Sequence, residues 1–190
     1  MTRFTIIGTG NMGGAIGSVL TDGGSTVSHI VHGQTGTIDG DVVILAVPHP
    51  AVSDVLATYG DQLAGRIVVD ITNPVDFETF DGLVVPAGSS FAADLAAKLP
   101  NSTVIKAFNT NFASTLASKK VGDAQSTVLI AGDDAAAKQT LASALEAGGV
   151  SAIDAGSLKR AHELEAIGFL QITLAAGEKI AWTGGFAVVR

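Results

Sequence analysis

An α/β fold built on a doubly wound, mostly parallel sheet is predicted by three features of the sequence. The first is the apolar run Phe4-Thr5-Ile6-Ile7, which breaks into Gly8-Thr9-Gly10-Asn11-Met12-Gly13 and then into a segment with Ile16, Val19 and Leu20 on one face, stopped by Gly23-Gly24. That is the order strand, turn, helix. The second is Val42 to Val47, unbroken in its apolar character, as a parallel strand covered on both faces must be. The third is the continuing alternation of short apolar runs with helix-period segments, the pattern of strands joined by helical crossovers.

The elements follow in order. The helix after the glycine turn runs from about Asn11 to Asp22, and Ser25 to Val31 forms the second strand, ended by Gly33. Between Gly33 and Asp41 only nine residues remain, three of them glycine. A helical crossover with a further strand needs more chain, so the third strand of the usual order is missing or vestigial and the sheet is shortened here. Pro48-His49-Pro50 ends the strand that begins at Val42, and a helix with Val52, Val55, Leu56 and Tyr59 on one face is expected to stop at Gly60. Ile67 to Ile71 is the next strand, broken by Thr72-Asn73-Pro74. Asp76 to Ser90 is a long loop carrying Phe77, Phe80 and Pro86, and Ser89 or Ser90 caps a helix with Phe91, Leu95 and Leu99 inward. Thr103 to Phe108 returns as a strand ending in Asn109-Thr110-Asn111-Phe112, with a short helix to about Lys120. Thr127 to Ala131 is a strand, Asp133-Asp134 opens a helix with Leu141 and Leu145 inward, and Val150 to Ile153 is a last short strand. Ser157 to about Trp182 reads as a long C-terminal helix, apolar on more than one face. More apolar surface than one sheet contact requires points to a homodimer. Residues 1–190 are read as one domain, with residues 1–125 as nucleotide-binding core and 126–190 as C-terminal strands and dimerisation helix.

Composition narrows the function. A chain of 190 residues buries about 70% of its unfolded surface and needs no staple. It has no cysteine, which excludes disulfides, thiolate metal sites and cysteine nucleophiles. Four dispersed histidines make no metal cluster, and His162-Glu163-Leu164-Glu165 lacks the second histidine of a zinc helix. A net charge of −7 with 11 scattered Lys and Arg argues against nucleic acid. Ala166 to Ala176 is too short and too polar to cross a bilayer, and the chain enters a strand without a signal segment, so no membrane contact and a cytoplasmic location are expected.

An acidic chain that binds an anion must hold it mainly by backbone, and the glycine turn supplies the means. Gly8 makes the tight turn, Gly10 leaves room for a pyrophosphate, and Gly13 lets helix and strand approach, while the helix start points its free N–H groups at the anion. This is a Rossmann-type dinucleotide site. The second strand ends without the acid that reads an adenosine ribose; Ser28, His29 and His32 stand there instead, and Asp39 comes too late. That favours NADP over NAD. We place Thr9 and His32 at the ribose 2′-phosphate; the alternative is that His29 and His32 are exposed strand-end residues, which is the favoured reading for His29.

Several motifs in their order resemble one family. Gly8-Thr9-Gly10-Asn11-Met12-Gly13, Leu45-Ala46-Val47-Pro48, Lys106-Ala107-Phe108-Asn109-Thr110, Ala131-Gly132-Asp133-Asp134 and Asp154-Ala155-Gly156 are similar to segments of the deazaflavin-dependent NADP oxidoreductases and of the cytoplasmic domain of the STEAP-type ferric reductases. The resemblance covers nearly the whole chain. It implies that Thr9 to Met12 hold the pyrophosphate, that Ala46, Val47 and Pro48 lie under the nicotinamide ribose, and that the segments around Asn73-Pro74 and Asn109-Thr110 line a hydride-transfer cleft. Where relatives carry a Ser-Arg pair for the 2′-phosphate, this sequence has Val31-His32.

The expected function is therefore an NADP(H)-dependent oxidoreductase that passes hydride between NADPH and a small-molecule flavin or deazaflavin acceptor. Such a transfer depends on positioning, and no acid–base residue is compulsory. Asn109 is either a hydrogen-bond donor to a reduced ring or a strand-end cap, and His49 either closes the pocket or supplies a proton, or is a surface turn residue. The alternative is an NADP(H)-binding sensor or interaction module without turnover.

Overall fold

The computed structural model describes residues 1–31, 33–34 and 36–189. Its main sheet has seven strands: β1 (Arg3–Ile7), β2 (Thr26–Ile30), β3 (Val42–Leu45), β4 (Ile67–Asp70), β5 (Thr103–Lys106) and, after the small hairpin of β6 (Lys120–Val121) and β7 (Ala124–Gln125), β8 (Thr127–Gly132) and β9 (Ser151–Gly156). The spatial order is β2-β1-β3-β4-β5-β8-β9. All neighbours are parallel except β5 and β8, which run antiparallel. The sheet is thus the mostly parallel one expected. The hairpin has no signature in the apolar pattern, because its two-residue strands bury no stripe.

Helices lie on both faces: α1 (Asn11–Asp22), α2 (Val52–Leu63), α3 (Phe91–Lys98), α4 (Ala113–Ala117), α5 (Ala135–Ala147) and α6 (Ala161–Ala176). Two apolar clusters sandwich the sheet. Ile16, Leu20, Leu116, Leu141 and Leu145 cover one face, and Ile38, Val55, Leu63, Phe91 and Leu95 the other. Every residue of β3 is buried, which explains its unbroken apolar run.

No helix or strand occupies the described residues between β2 and β3. The chain closes that gap by hydrogen bonding to α2 and its exit. Tyr59 Oη donates to Gln34 O at 2.9 Å, Ile38 N donates to Gln62 Oε1 at 2.9 Å, and Arg66 donates to the carbonyls of Ile38 and Gly40. Ile38 fills the place of a helix with a single buried side chain.

Three helices differ from expectation in their bounds, α4 ending at Ala117 rather than near Lys120, which starts β6. Gly60 does not stop α2, which runs on to Leu63. A helical glycine costs about 1 kcal/mol, but burying Leu63 one turn beyond Tyr59 contributes about 1.5–3 kcal/mol. The C-terminal helix is shorter than Ser157 to Trp182: a 3₁₀ turn at Leu158–Arg160 precedes it, and it ends at Ala176. Lys179 N donates to Leu174 O at 2.8 Å and Glu178 N to Ala175 O at 3.1 Å, with Glu178 at φ 57°. This is a Schellman stop whose left-handed residue is a glutamate, one position past Gly177. On α6, Ile167 and Leu170 remain exposed. Among the described residues, no helix is long and apolar enough to cross a membrane.

Candidate functional site

The site forms where β1, β3, β4 and β5 present their C-terminal ends, on either side of the Gly8–Gly13 turn. The three glycines have separable roles. Gly8 adopts φ 118°, and a Cβ there would collide with Ala46 O; a Cβ on Gly13 would come within 2.5 Å of Gly8 O. Both are required by the fold. A Cβ on Gly10 would meet nothing within 4 Å, so its bareness serves no packing purpose. Ser90 and Asp134 cap α3 and α5 by accepting from Ala93 N and Ala137 N, whereas α1 starts at Gly10 with no side-chain cap. Its first-turn N–H groups suit a phosphate, and the bare Gly10 leaves the space for one.

On one side of the turn lies a cavity of about 290 Å³. Its walls are Gly8 at the end of β1, Ile30 and Val31 at the end of β2, Val47 beyond β3, and Asp54 and Tyr59 of α2. It is an apolar slot with a flat aromatic side chain, suited to an adenosine. His32 lies outside the described residues, and Thr9 stands exposed at the tip of the turn.

On the other side is a larger cavity of about 470 Å³, lined by Asn11, Met12, Asn73, Phe77, Asn109 and Trp182 among others. Its floor is rigid. Asn73 Nδ2 donates to Asn109 O at 2.8 Å, and Asn109 Nδ2 donates to Asn73 Oδ1 at 3.0 Å and to Leu164 O at 2.7 Å. Gly168 of α6 lies so close that a Cβ would reach Asn109 O at 2.8 Å and Asn109 Nδ2 at 2.9 Å. Both amide protons of Asn109 are committed within the protein, so in this arrangement Asn109 fixes the floor and offers a ring no donor. Phe108, fully buried, takes φ 64° just before it, a backbone conformation sparsely populated by non-glycine residues.

Beneath this floor is a charged cluster that the sequence did not reveal. Lys106 Nζ donates to Asp70 Oδ2 at 2.7 Å, to Thr72 O at 2.6 Å and to Glu165 Oε1 at 2.9 Å. All three charged side chains are fully buried. Glu165 also accepts from Phe91 N at 2.9 Å and Ala92 N at 3.2 Å, so it closes the start of α3 from a distant helix. The positive end of that helix and the single ammonium together offset two carboxylates. Since Lys106 holds Thr72 O, the network fixes the turn that carries Asn73. His49 packs edge-on against Phe91 with ring centroids 4.3 Å apart. Burial pushes its pKa below the ordinary imidazole value, with Lys106 and Lys98 adding to the effect and Asp70 opposing it.

Of the residues expected at the site, Gly8, Asn11, Met12, Val47, Asn73 and Asn109 line the two cavities. Gly13 and Ala46 support the turn from behind, and Gly10 is exposed between the cavities along the chain. Pro74 is buried and accepts from Val84 N at 2.7 Å, and Thr110 O accepts from Gln171 Nε2 at 3.1 Å. Pro48 caps the turn that carries His49. Sequence reasoning missed Tyr59 and Trp182 as wall residues; each is the single residue of its type in the chain, a signal that could have marked them.

A family model described as NADP oxidoreductase, coenzyme F420-dependent, matches residues 31–74. The metalloreductase STEAP3 of Rattus norvegicus is 40% identical over 128 residues, 67% of this chain, and the chain spans only 25% of that protein's length. An F420-dependent NADP reductase of Methanocaldococcus jannaschii is 31% identical over 150 residues, covering 77% of this chain and 67% of that one. A crystal structure of a protein from Arthrobacter sp. FB24 superposes with a TM-score of 0.84 at 24% identity, covering 100% of both chains, a likeness of fold. On the extent and identity of the Methanocaldococcus match, and with the sheet order and glycine turn already described, the chain belongs to the F420-dependent NADP oxidoreductase family.

Proposed function

We propose that the protein transfers hydride between NADP(H) and a flavin or deazaflavin acceptor. The observation that carries this reading is the pairing of an open Gly10 cradle with two cavities that meet the same turn, one walled by Gly8 and the other by Asn11 and Met12. In this reading the first-turn amides of α1 hold the pyrophosphate, the Tyr59 slot takes the adenosine, and Thr9 meets the 2′-phosphate. Ala46 and Pro48 support the nicotinamide ribose, while Val47 walls the adenosine slot. The bound dinucleotide supplies the hydride. The protein's part is to hold two flat rings together over the Asn73–Asn109 floor and to keep water from between them, which is catalysis by positioning. His49 stands against Phe91 at the end of β3, its pKa held below the ordinary imidazole value by burial.

The test is to incubate the protein with NADPH and a panel of flavins and deazaflavins while following the loss of reduced-nicotinamide absorbance. Oxidation is expected with at least one ring acceptor. Tight NADPH binding with no oxidation by any of them would overturn the reading in favour of a non-catalytic NADP(H)-binding module. The exposed Ile167 and Leu170 on α6 support a homodimer through that helix; sedimentation showing only monomer at working concentration would refute it.

A further inference from the structure

We infer that Trp182 is a wall of the acceptor subsite and sets its preference for flat, fused-ring acceptors; this rests on the hydride-transfer reading above. Past the end of α6 the chain turns back across the larger cavity as a strap held at two points. Ser114 Oγ donates to the Trp182 carbonyl. Phe186 N donates at 2.9 Å to Oε1 of Gln171, whose Nε2 donates at 3.1 Å to Thr110 O. Gln171 is 1% exposed, so this polar residue inside an apolar helix is spent on tying the strap to the loop that follows β5.

The strap packs its indole tilted on Phe112, with centroids 4.9 Å apart and planes at 55°; Trp182 is 53% exposed overall and lines both this cavity and a neighbouring hollow with Ala175 and Ile180. Phe77, reaching in from the 76–90 loop, is 54% exposed in the same lining. Two large aromatic faces, positioned from separate loops and left wet beside Met12 of the glycine turn, gain most from a ligand that covers them. A fused tricycle offers that area in one rigid piece at little entropic cost. A small aliphatic carbonyl substrate would leave the indole uncovered, so the same wall disfavours it.

Riboflavin is the probe, titrated in the presence of saturating NADP⁺. Its emission is quenched when an indole touches the ring, and Trp182 is the single tryptophan in the chain. Wild type should quench bound riboflavin. Trp182→Phe should restore most of the affinity but lose most of the quenching, and Trp182→Ala should raise the riboflavin dissociation constant and the acceptor KM by about three- to tenfold, with the NADPH dissociation constant unchanged. That unchanged constant reports that the variants are folded. Turnover by wild type, with riboflavin quenching and acceptor KM both unaltered in Trp182→Ala, overturns the inference and leaves the hydride-transfer reading standing. Trp182-dependent quenching without turnover by wild type overturns the hydride-transfer reading and keeps the subsite. Neither quenching nor turnover overturns both.

Discussion

Gly10 and Gly13 sit three residues apart in one motif, yet substitution should affect different properties. Valine at Gly10 meets open space in the protein, so Gly10→Val is expected to fold normally and lose NADPH binding by at least about tenfold, since its side chain occupies the phosphate's place. Gly13→Val forces atoms against Gly8 O and is expected to unfold or destabilise the chain; comparing melting temperature with calorimetric affinity in both variants checks the division. The motif already assigned Gly8 and Gly13 to the backbone and Gly10 to a ligand; what sequence could not supply is the neighbour each meets, Ala46 O at Gly8, Gly8 O at Gly13 and open space at Gly10. His49 gives a pH dependence. Its pKa is lowered in the folded state by burial, so the unfolded chain binds the extra proton first. Stability from this residue is therefore fully present above about pH 6.5 and falls as the pH drops below that value. His49→Gln should flatten the slope of melting temperature between about pH 5 and 7, and an unchanged slope would show that His49 does not cause it.

At the scale of elements, the strands were the most legible because parallel strands buried on both faces are plain apolar runs, as in β3 and β4. Helix ends were less so. Gly60 carries a stop signal that Tyr59 and Leu63, buried one turn apart, override. At the end of α6 the signal is displaced: Gly177 is the cap, at φ −83°, and Glu178 takes the left-handed position. Glu178→Gly should accordingly raise stability by about 0.5–1 kcal/mol by removing a strained side chain from φ 57°. Denaturant titration with an unchanged or lowered midpoint would show that the stop is not strained. The candidate site was legible where backbone shapes it, at the glycine turn, whose positions the structure reproduces as strand, turn and helix. Its aromatic walls were not, since Tyr59 and Trp182 reach the cavities only through tertiary placement of α2 and of the strap.

At the scale of the whole molecule, the expected division at residue 125 cuts through one electrostatic unit. Lys106 lies in β5 and its partner Glu165 in α6, 59 residues later, and the same carboxylate closes the start of α3. Without Glu165, a fully desolvated ammonium keeps only Asp70 and a carbonyl, and α3 loses the acceptor of two of its first amides; removing one partner from a buried charge cluster costs about 3–5 kcal/mol. We expect equilibrium unfolding followed by far-ultraviolet circular dichroism and by Trp182 emission to give coincident single transitions, and a chain ending at residue 125 to lack a cooperative transition. Separate transitions would refute the coupling. For a chain emerging from the ribosome, the strands up to β5 are then synthesised well before their charge network can close: Lys106 waits, solvated and unpaired with Glu165, until α6 has been made.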